Sequence, residues 1–152
     1  MQTLDLLFVY GSLLTGNAAR QPFRHFFEAV GEGSVAGDLY HLPEGYPTLI
    51  LADGDGAGDA AGGPVGDGRV QGEIIRLLEP VAALAALDEY EGAGPDLGDG
   101  GLYVRVPIPV RLADGGGARC WVYACPAPAE AEVRTRGRRV DSGSWRTFLS
   151  GA

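Results

Sequence analysis

No lysine occurs anywhere in the 152 residues; all 12 basic side chains are arginine. That absence excludes a lysine Schiff base and the lysine of a phosphate-binding loop, while leaving arginine forks able to hold a carboxylate. The arginine bias, with abundant Gly, Ala and Asp, also fits a GC-rich coding sequence. Cysteine is scarce as well. Cys120 and Cys125 lie five apart in a β-like run, so a period of two sends them to opposite faces, and neither a disulfide nor a shared metal site is expected. A reducing, cytoplasmic location fits that usage. No apolar run approaches the ~20 residues that span a bilayer, and Met1–Asp5 lacks the basic region of a secretory signal. Positive charge is outweighed: the net charge of −8 opposes attraction to nucleic acid or anionic membrane, so neither is expected as a partner.

What is present is a foldable chain. Hydrophobic residues make up 45% and aromatics 9%, enough for one core, and 152 residues correspond to a single domain. Leu4–Tyr10 is a nearly continuous apolar run ending at Gly11-Ser12, the pattern of a strand buried on both faces. Residues 17–30 show helical spacing of Phe23, Phe26 and Phe27, with Asn17 as a cap and Pro22 delaying the start. Val35–Leu42 and Tyr46–Ala52 read as strands around a Pro43-Glu44-Gly45 turn. Residues 53–68, nearly all Gly, Ala, Asp and Pro, predict a flexible loop, as do 93–101. Arg69–Leu78 predicts a strand, and Pro80 opens a helix that Gly92 stops. Alternation from Val104 to Leu112, with prolines suited to an edge, and Ala118–Cys125 after Gly115-Gly116-Gly117 predict a hairpin. Residues 126–152 read as an arginine-rich tail, more consistent with a solvated segment than an anion site, in which Ser144–Leu149 docks a helical turn. About six strands and few helices make an α+β domain with a small closed or nearly closed sheet.

Two places carry candidate chemistry. At Tyr10-Gly11-Ser12-Leu13, consecutive backbone N–H groups after a buried strand are able to form a nest for a carboxylate. The same residues in isolation also describe an ordinary turn. Ser12 lacks the G-x-S-x-G setting of a nucleophile, and neither His25 nor His41 has a motif tying it to Ser12 as base. The second place is Leu87-Asp88-Glu89-Tyr90-Glu91-Gly92. At about 100° per residue from Val81, Leu84 falls near ~300°, Leu87 near ~240° and Glu91 near ~280°, whereas Glu89 points away at ~80°. Glu91 therefore shares the apolar stripe. Partial burial, Asp88 on the same side and the helix dipole all act to raise its pKa, the property of a base that works near neutrality. A glutamate reaching solvent beyond a short helix fits the pattern equally.

These segments, with Gly37-Asp38-Leu39-Tyr40, Gly45-Tyr46-Pro47, Val70-Gln71-Gly72-Glu73, Tyr103-Val104-Arg105 and Trp121-Val122-Tyr123, resemble the γ-glutamylcyclotransferase-like (AIG2-like) family over roughly residues 6–125. The resemblance implies a small mixed or antiparallel β-barrel flanked by helices, with the Tyr10–Leu13 turn around a γ-glutamyl group and Glu91 as the acid/base. It implies a metal-independent enzyme without cofactor, which cyclises a γ-glutamyl amine or peptide to 5-oxoproline and releases the amine. Tyr10 and Tyr103 are candidates to orient the substrate, alongside an equally simple role as strand aromatics. The sequence departs from the pattern in the Gly/Asp-rich insert after Gly92 and in Ser142-Gly143-Ser144 before Trp145, where relatives often carry an acid. A non-catalytic module of the same fold, binding a small carboxylate or a protein, remains the alternative, since fold does not fix function.

Asp53-Gly54-Asp55-Gly56 faintly resembles a calcium loop, but Ala57 takes a ligand position and no glutamate closes it. Calcium is accordingly expected to leave the melting temperature unchanged in a thermal scan; a rise of several degrees would overturn that reading.

Overall fold

The computed structural model describes residues 4–16, 18–51, 68–93 and 101–149. The predicted loops at 53–68 and 93–101 fall almost wholly outside these, as do the suggested calcium loop and the Asn17 cap. Along the chain run β1 (Leu6–Val9), a 3-10 helix (Ala18–Phe26), β2 (Phe27–His41), β3 (Pro47–Leu51), β4 (Arg69–Leu77) and α1 (Pro80–Glu91). They are followed by β5 (Val104–Leu112), β6 (Gly117–Ala124), a 3-10 turn (Ala127–Ala129), α2 (Glu130–Arg136), β7 (Arg138–Arg139) and α3 (Trp145–Leu149).

Five strands close on themselves in the order β2-β4-β1-β6-β5 and back to β2, while β3 and β7 extend the far half of β2. The barrel is mixed: β1 and β6 run parallel through Leu7↔Trp121, and the other pairs are antiparallel. Closure depends on the 15 residues of β2, whose register against β4 shifts between Ala29 and Gly31. A bulge of this kind sharpens strand twist and lets one long strand serve two sheets. Pro107 and Pro109 are tolerated in β5 because its second neighbour, β2, reaches only Leu112 and Arg111, so most of that side requires no ladder N–H.

Side-chain alternation divides the interior. Phe8, Val35, Val70, Ile74, Val110, Cys120 and Val122 fill the barrel. Leu7, Val9, Ile75 and Leu77 face outward, where Ala83, Leu84 and Leu87 of α1 cover them. Thus β1 is buried on both faces, as its continuous apolar run requires. Both cysteines are free, and they belong to different clusters.

Two expectations fail. Residues 17–30 do not form one helix: Pro22 sits within the 3-10 segment, and the chain has turned into β2 by Phe27. Helical spacing of three phenylalanines was outweighed by the lost N–H of Pro22 and by nine paired positions along β4. Nor is the arginine-rich segment a solvated tail. Arg134 and Arg139 reach the two oxygens of Asp38 at 3.5 and 3.2 Å, Arg136 meets Glu44 at 2.6 Å, and Trp145 is buried. A buried carboxylate on β2 needs counter-charge, and this segment supplies it. The docked turn at Trp145–Leu149 is present as α3.

Gly72 has a packing reason to lack a side chain: an added Cβ would lie 2.2 Å from the Val9 carbonyl oxygen and 2.6 Å from the Phe8 ring. Gly72→Ala is expected to cost at least about 1–3 kcal/mol in denaturant unfolding. Gly31→Ala, where a Cβ meets nothing within 4 Å, should stay within about 0.5 kcal/mol.

Candidate active site

Where β1 ends, the chain turns sharply: the Leu14 N–H donates to the Gly11 carbonyl at 3.0 Å. This turn, the start of β3, the last residue of α1 and the chain on either side of the β5–β6 hairpin converge on one pocket, which encloses about 370 Å³ including its mouth. Phe8, Val9 and Leu13 give it apolar walls, and Tyr10, Tyr46, Tyr103 and Tyr123 bring hydroxyls. The residues singled out from sequence, Tyr10, Gly11, Ser12, Leu13, Glu91 and Tyr103, all line it. At Gly11 a Cβ would sit 2.6 Å from Pro47 Cγ, so only glycine lets the turn approach β3 this closely.

Glu91 ends α1, and Gly92 takes the left-handed conformation (φ 67°) that stops the helix. The predicted phase is observed: Leu84 and Leu87 are buried, Glu89 is exposed and Glu91 is half-buried in the pocket lining. Burial alone pushes its carboxyl up to about 7. Among the described residues no hydrogen bond reaches that carboxylate, so nothing offsets the cost of desolvating its charge.

Asp88 does not act on Glu91 as a like charge, contrary to the expectation from its position. Its carboxylate takes a fork from Arg105, Nε to Oδ1 at 2.7 Å and Nη2 to Oδ2 at 3.0 Å, and the Tyr123 hydroxyl donates to Oδ1 at 2.8 Å. The Arg105 guanidinium also lies over the Trp121 ring, 4.3 Å from its centroid. The Leu-Asp and Tyr-x-Arg segments, which sequence could only note side by side, are two halves of one contact. Arg105 and Tyr123 received no role from sequence. The signal available was an acid on the apolar stripe of α1 that demanded a counter-charge.

The tyrosines divide by what their protons do. Tyr10 donates to the Tyr123 carbonyl at 2.5 Å and accepts the Leu49 N–H at 3.2 Å, pinning β1 between β6 and β3. Tyr103 donates to the Pro47 carbonyl at 2.6 Å, and Tyr123 to Asp88. Burial drives all three phenols well above their usual range, with the Glu91 charge adding to each. At the mouth, Ser12 Oγ lies 3.0 Å from the Tyr90 hydroxyl. His41 Nδ1 accepts from Trp145 Nε1 at 3.0 Å, and among the described residues no hydrogen bond joins Ser12 to His25 or His41. Below the turn, Glu73 is held by Thr15, Arg20 and Arg146; burial acts to raise its carboxyl, and the Thr15 and Arg146 contacts outweigh it and lower the pKa. Among the described residues there is no group of three or more His, Cys, Asp or Glu side chains arranged to hold a metal, and no helix long and apolar enough to cross a membrane.

Solved structures share this architecture. YkqA from Bacillus subtilis aligns with 95% of the chain at 18% identity and a TM-score of 0.64, and the chain spans 40% of YkqA. A uropathogenic E. coli-specific protein aligns over 98% of both chains at 24% identity and a TM-score of 0.64. A mouse AIG2-like protein aligns with 81% of this chain and 78% of its own, at 23% identity and a TM-score of 0.59. At such identities the likeness establishes the fold. Among curated proteins none matches the sequence. The sequence itself matches the family described as gamma-glutamyl cyclotransferase, AIG2-like, over residues 7–147, and the chain belongs to that family.

Proposed function

We propose that the protein cyclises the γ-glutamyl group of a γ-glutamyl amine or peptide to 5-oxoproline and releases the amine, with Glu91 as the general acid/base. The observation that carries this reading is a carboxyl set in the wall of a small pocket with no hydrogen bond from the described residues, which burial pushes up to about 7. Family membership supports the reaction class.

The attacking group belongs to the substrate. Glu91 takes a proton from the α-ammonium, and the freed amine attacks the γ-carbonyl, forming the C–N bond of the five-membered ring. The C–N bond to the leaving amine then breaks as that nitrogen is protonated. Over the reaction the α-nitrogen loses two protons and the leaving nitrogen gains two, so one carboxyl that ferries protons suffices. The pocket contributes by holding the chain folded for intramolecular attack, where the entropic gain is large. In this reading the N–H groups of the Gly11–Leu13 turn hold the substrate carboxylate or a developing oxyanion.

Glu91→Gln keeps the shape but cannot carry a proton, and turnover should fall by about 10²–10⁴-fold, read as 5-oxoproline released from a panel of γ-glutamyl amines and peptides. Glu89→Gln, on the exposed face, should change neither rate nor stability. A wild-type protein silent across the panel would favour the non-catalytic binding module.

The pH dependence follows from the raised carboxyl. kcat/KM should rise as pH increases through about 7, where Glu91 becomes the carboxylate that accepts the proton. Stability should move oppositely. The folded state holds the Glu91 proton more tightly than the unfolded chain, so this group's contribution falls as pH climbs from the ordinary carboxyl range through about 7. Glu91→Gln should therefore melt at or above the wild-type temperature at pH 8, and a lower melting temperature with unchanged specific activity would make Glu91 structural.

A further inference from the structure

Glu73 does not line the active pocket, yet the turn that borders the pocket rests on its carboxylate. It stands on β4 opposite Val9, the last residue of β1, and so meets the chain where that chain leaves the barrel. Its side chain is 16% exposed, and both oxygens are used. Oε1 accepts from the Thr15 N–H and the Thr15 hydroxyl, each at 2.9 Å, and from Arg20 Nη1 at 3.0 Å, while Oε2 accepts from Arg146 Nη2 at 3.3 Å. Each arginine nitrogen is shared. Arg20 Nη1 also donates to the Leu13 carbonyl at 3.1 Å, and Arg146 Nη2 to the Thr15 carbonyl at 2.8 Å.

Peptide planarity carries this hold into the turn. The Leu13 carbonyl, fixed by Arg20, shares a plane with the Leu14 N–H, which donates to the Gly11 carbonyl at 3.0 Å. The Gly11 carbonyl in turn shares a plane with the Ser12 N–H. No carbonyl swings without taking the N–H across its peptide bond with it, so the run from Glu73 through Arg20 ends in the direction of the Ser12 N–H, and Ser12 lines the pocket. Residues 10–16 belong to no helix or strand, so no ladder sets these planes in place of the side chains.

We propose that Glu73 is a positioning residue for the reaction: acting through Arg20 and Arg146, it fixes the peptide planes of residues 11–15 and with them the aim of the N–H groups offered to the substrate. The proposal rests on the cyclisation reading only in taking this turn as a substrate contact. Arg20 is the stronger lever, because it bears directly on the plane joining Leu13 to Leu14. Its guanidinium is itself steadied over the Phe27 ring, 5.3 Å from the centroid.

The test separates order in the turn from turnover. In amide hydrogen exchange of the full-length protein, Glu73→Gln and Arg20→Gln should each speed exchange at Leu14, whose N–H bonds to neither residue, by about tenfold or more, with the barrel amides of β1 and β4 unchanged. Arg20→Lys keeps protons for both acceptors and should return Leu14 to within about threefold of wild type. Arg24→Gln, exposed on the same 3-10 helix, removes the same charge and should change nothing. In turnover of γ-glutamyl compounds, Glu73→Gln and Arg20→Gln should lose about 10- to 100-fold in kcat/KM, the cost of a misplaced contact. The rise of kcat/KM through about 7 should stay where it is, because burial is what raises Glu91.

Unchanged Leu14 exchange, or Leu14 speeding only in step with β1 and β4, makes Glu73 a plain stability element and overturns the proposal. Faster Leu14 exchange with kcat/KM intact, or lost activity with a displaced pH midpoint, overturns it as well. If Glu73→Gln fails to fold, Arg20→Gln decides, since it leaves Glu73 its Thr15 and Arg146 partners. A wild-type protein that releases no 5-oxoproline from any compound brings down the cyclisation reading, and the ordering of the turn by Glu73 then stands or falls on exchange alone.

Discussion

One buried carboxylate holds the last turn of α1 against the barrel. Asp88 is 5% exposed and accepts three hydrogen bonds, two from Arg105 on β5 and one from Tyr123 on β6. Such a pair adds little net stability over an apolar contact, because desolvating both charges offsets most of their attraction. What it provides is position. A helix bearing only alanines and leucines against a flat apolar surface has no strong preference for one rotation, whereas a bidentate fork tolerates a single register. Glu91, three residues beyond Asp88, is aimed by that register. Loss of one partner would strand a charge in the interior, so position and stability are coupled here although the intact pair mainly gives the first.

The same contact fixes the chemistry of the pocket at second hand. By taking the Tyr123 proton, Asp88 turns that hydroxyl into an acceptor, as the Pro47 carbonyl does for Tyr103. Among the described residues Glu91 then receives no O–H bond from the tyrosines that line the same cavity. A carboxylate surrounded by such donors would be held far below neutrality. Burial is what raises the Glu91 carboxyl, and no hydrogen bond from the described residues opposes it.

A second buried carboxylate uses similar logic. Asp38 on β2 is 8% exposed and is met by Arg134 and Arg139, which fasten the chain after β6 onto the extended sheet. Trp145 follows, buried, with its edge 3.8 Å from where a Cβ on Gly11 would lie. The C-terminal segment thus backs the turn that borders the pocket, and Arg146 reaches the Thr15 carbonyl and Glu73 beside it. The short turn is held from both sides by pieces of chain far apart in sequence.

Local rules were enough for β1, the extent of α1, the β5–β6 hairpin and the phase of Glu91. Each is set by a periodicity, a proline without an N–H or a glycine free to turn, and such terms act within a few residues. The Tyr10–Leu13 turn and the Leu87–Gly92 element, once placed together with the other segments of the family resemblance, also marked which turn and which glutamate to examine. Sequence failed wherever the deciding partner was distant. Phe27–Val30 became strand because β4 pairs with it, and the arginine-rich segment packed because Asp38 waits on β2. Asp88 was misread as a charge pressing on Glu91 because Arg105 and Tyr123, contributed by two other strands, are invisible to a helical wheel. The amino-acid order determined which groups the pocket contains; only the closed barrel decided to which acceptor each proton is given, because hydrogen-bond direction depends on partners that the chain brings together in space.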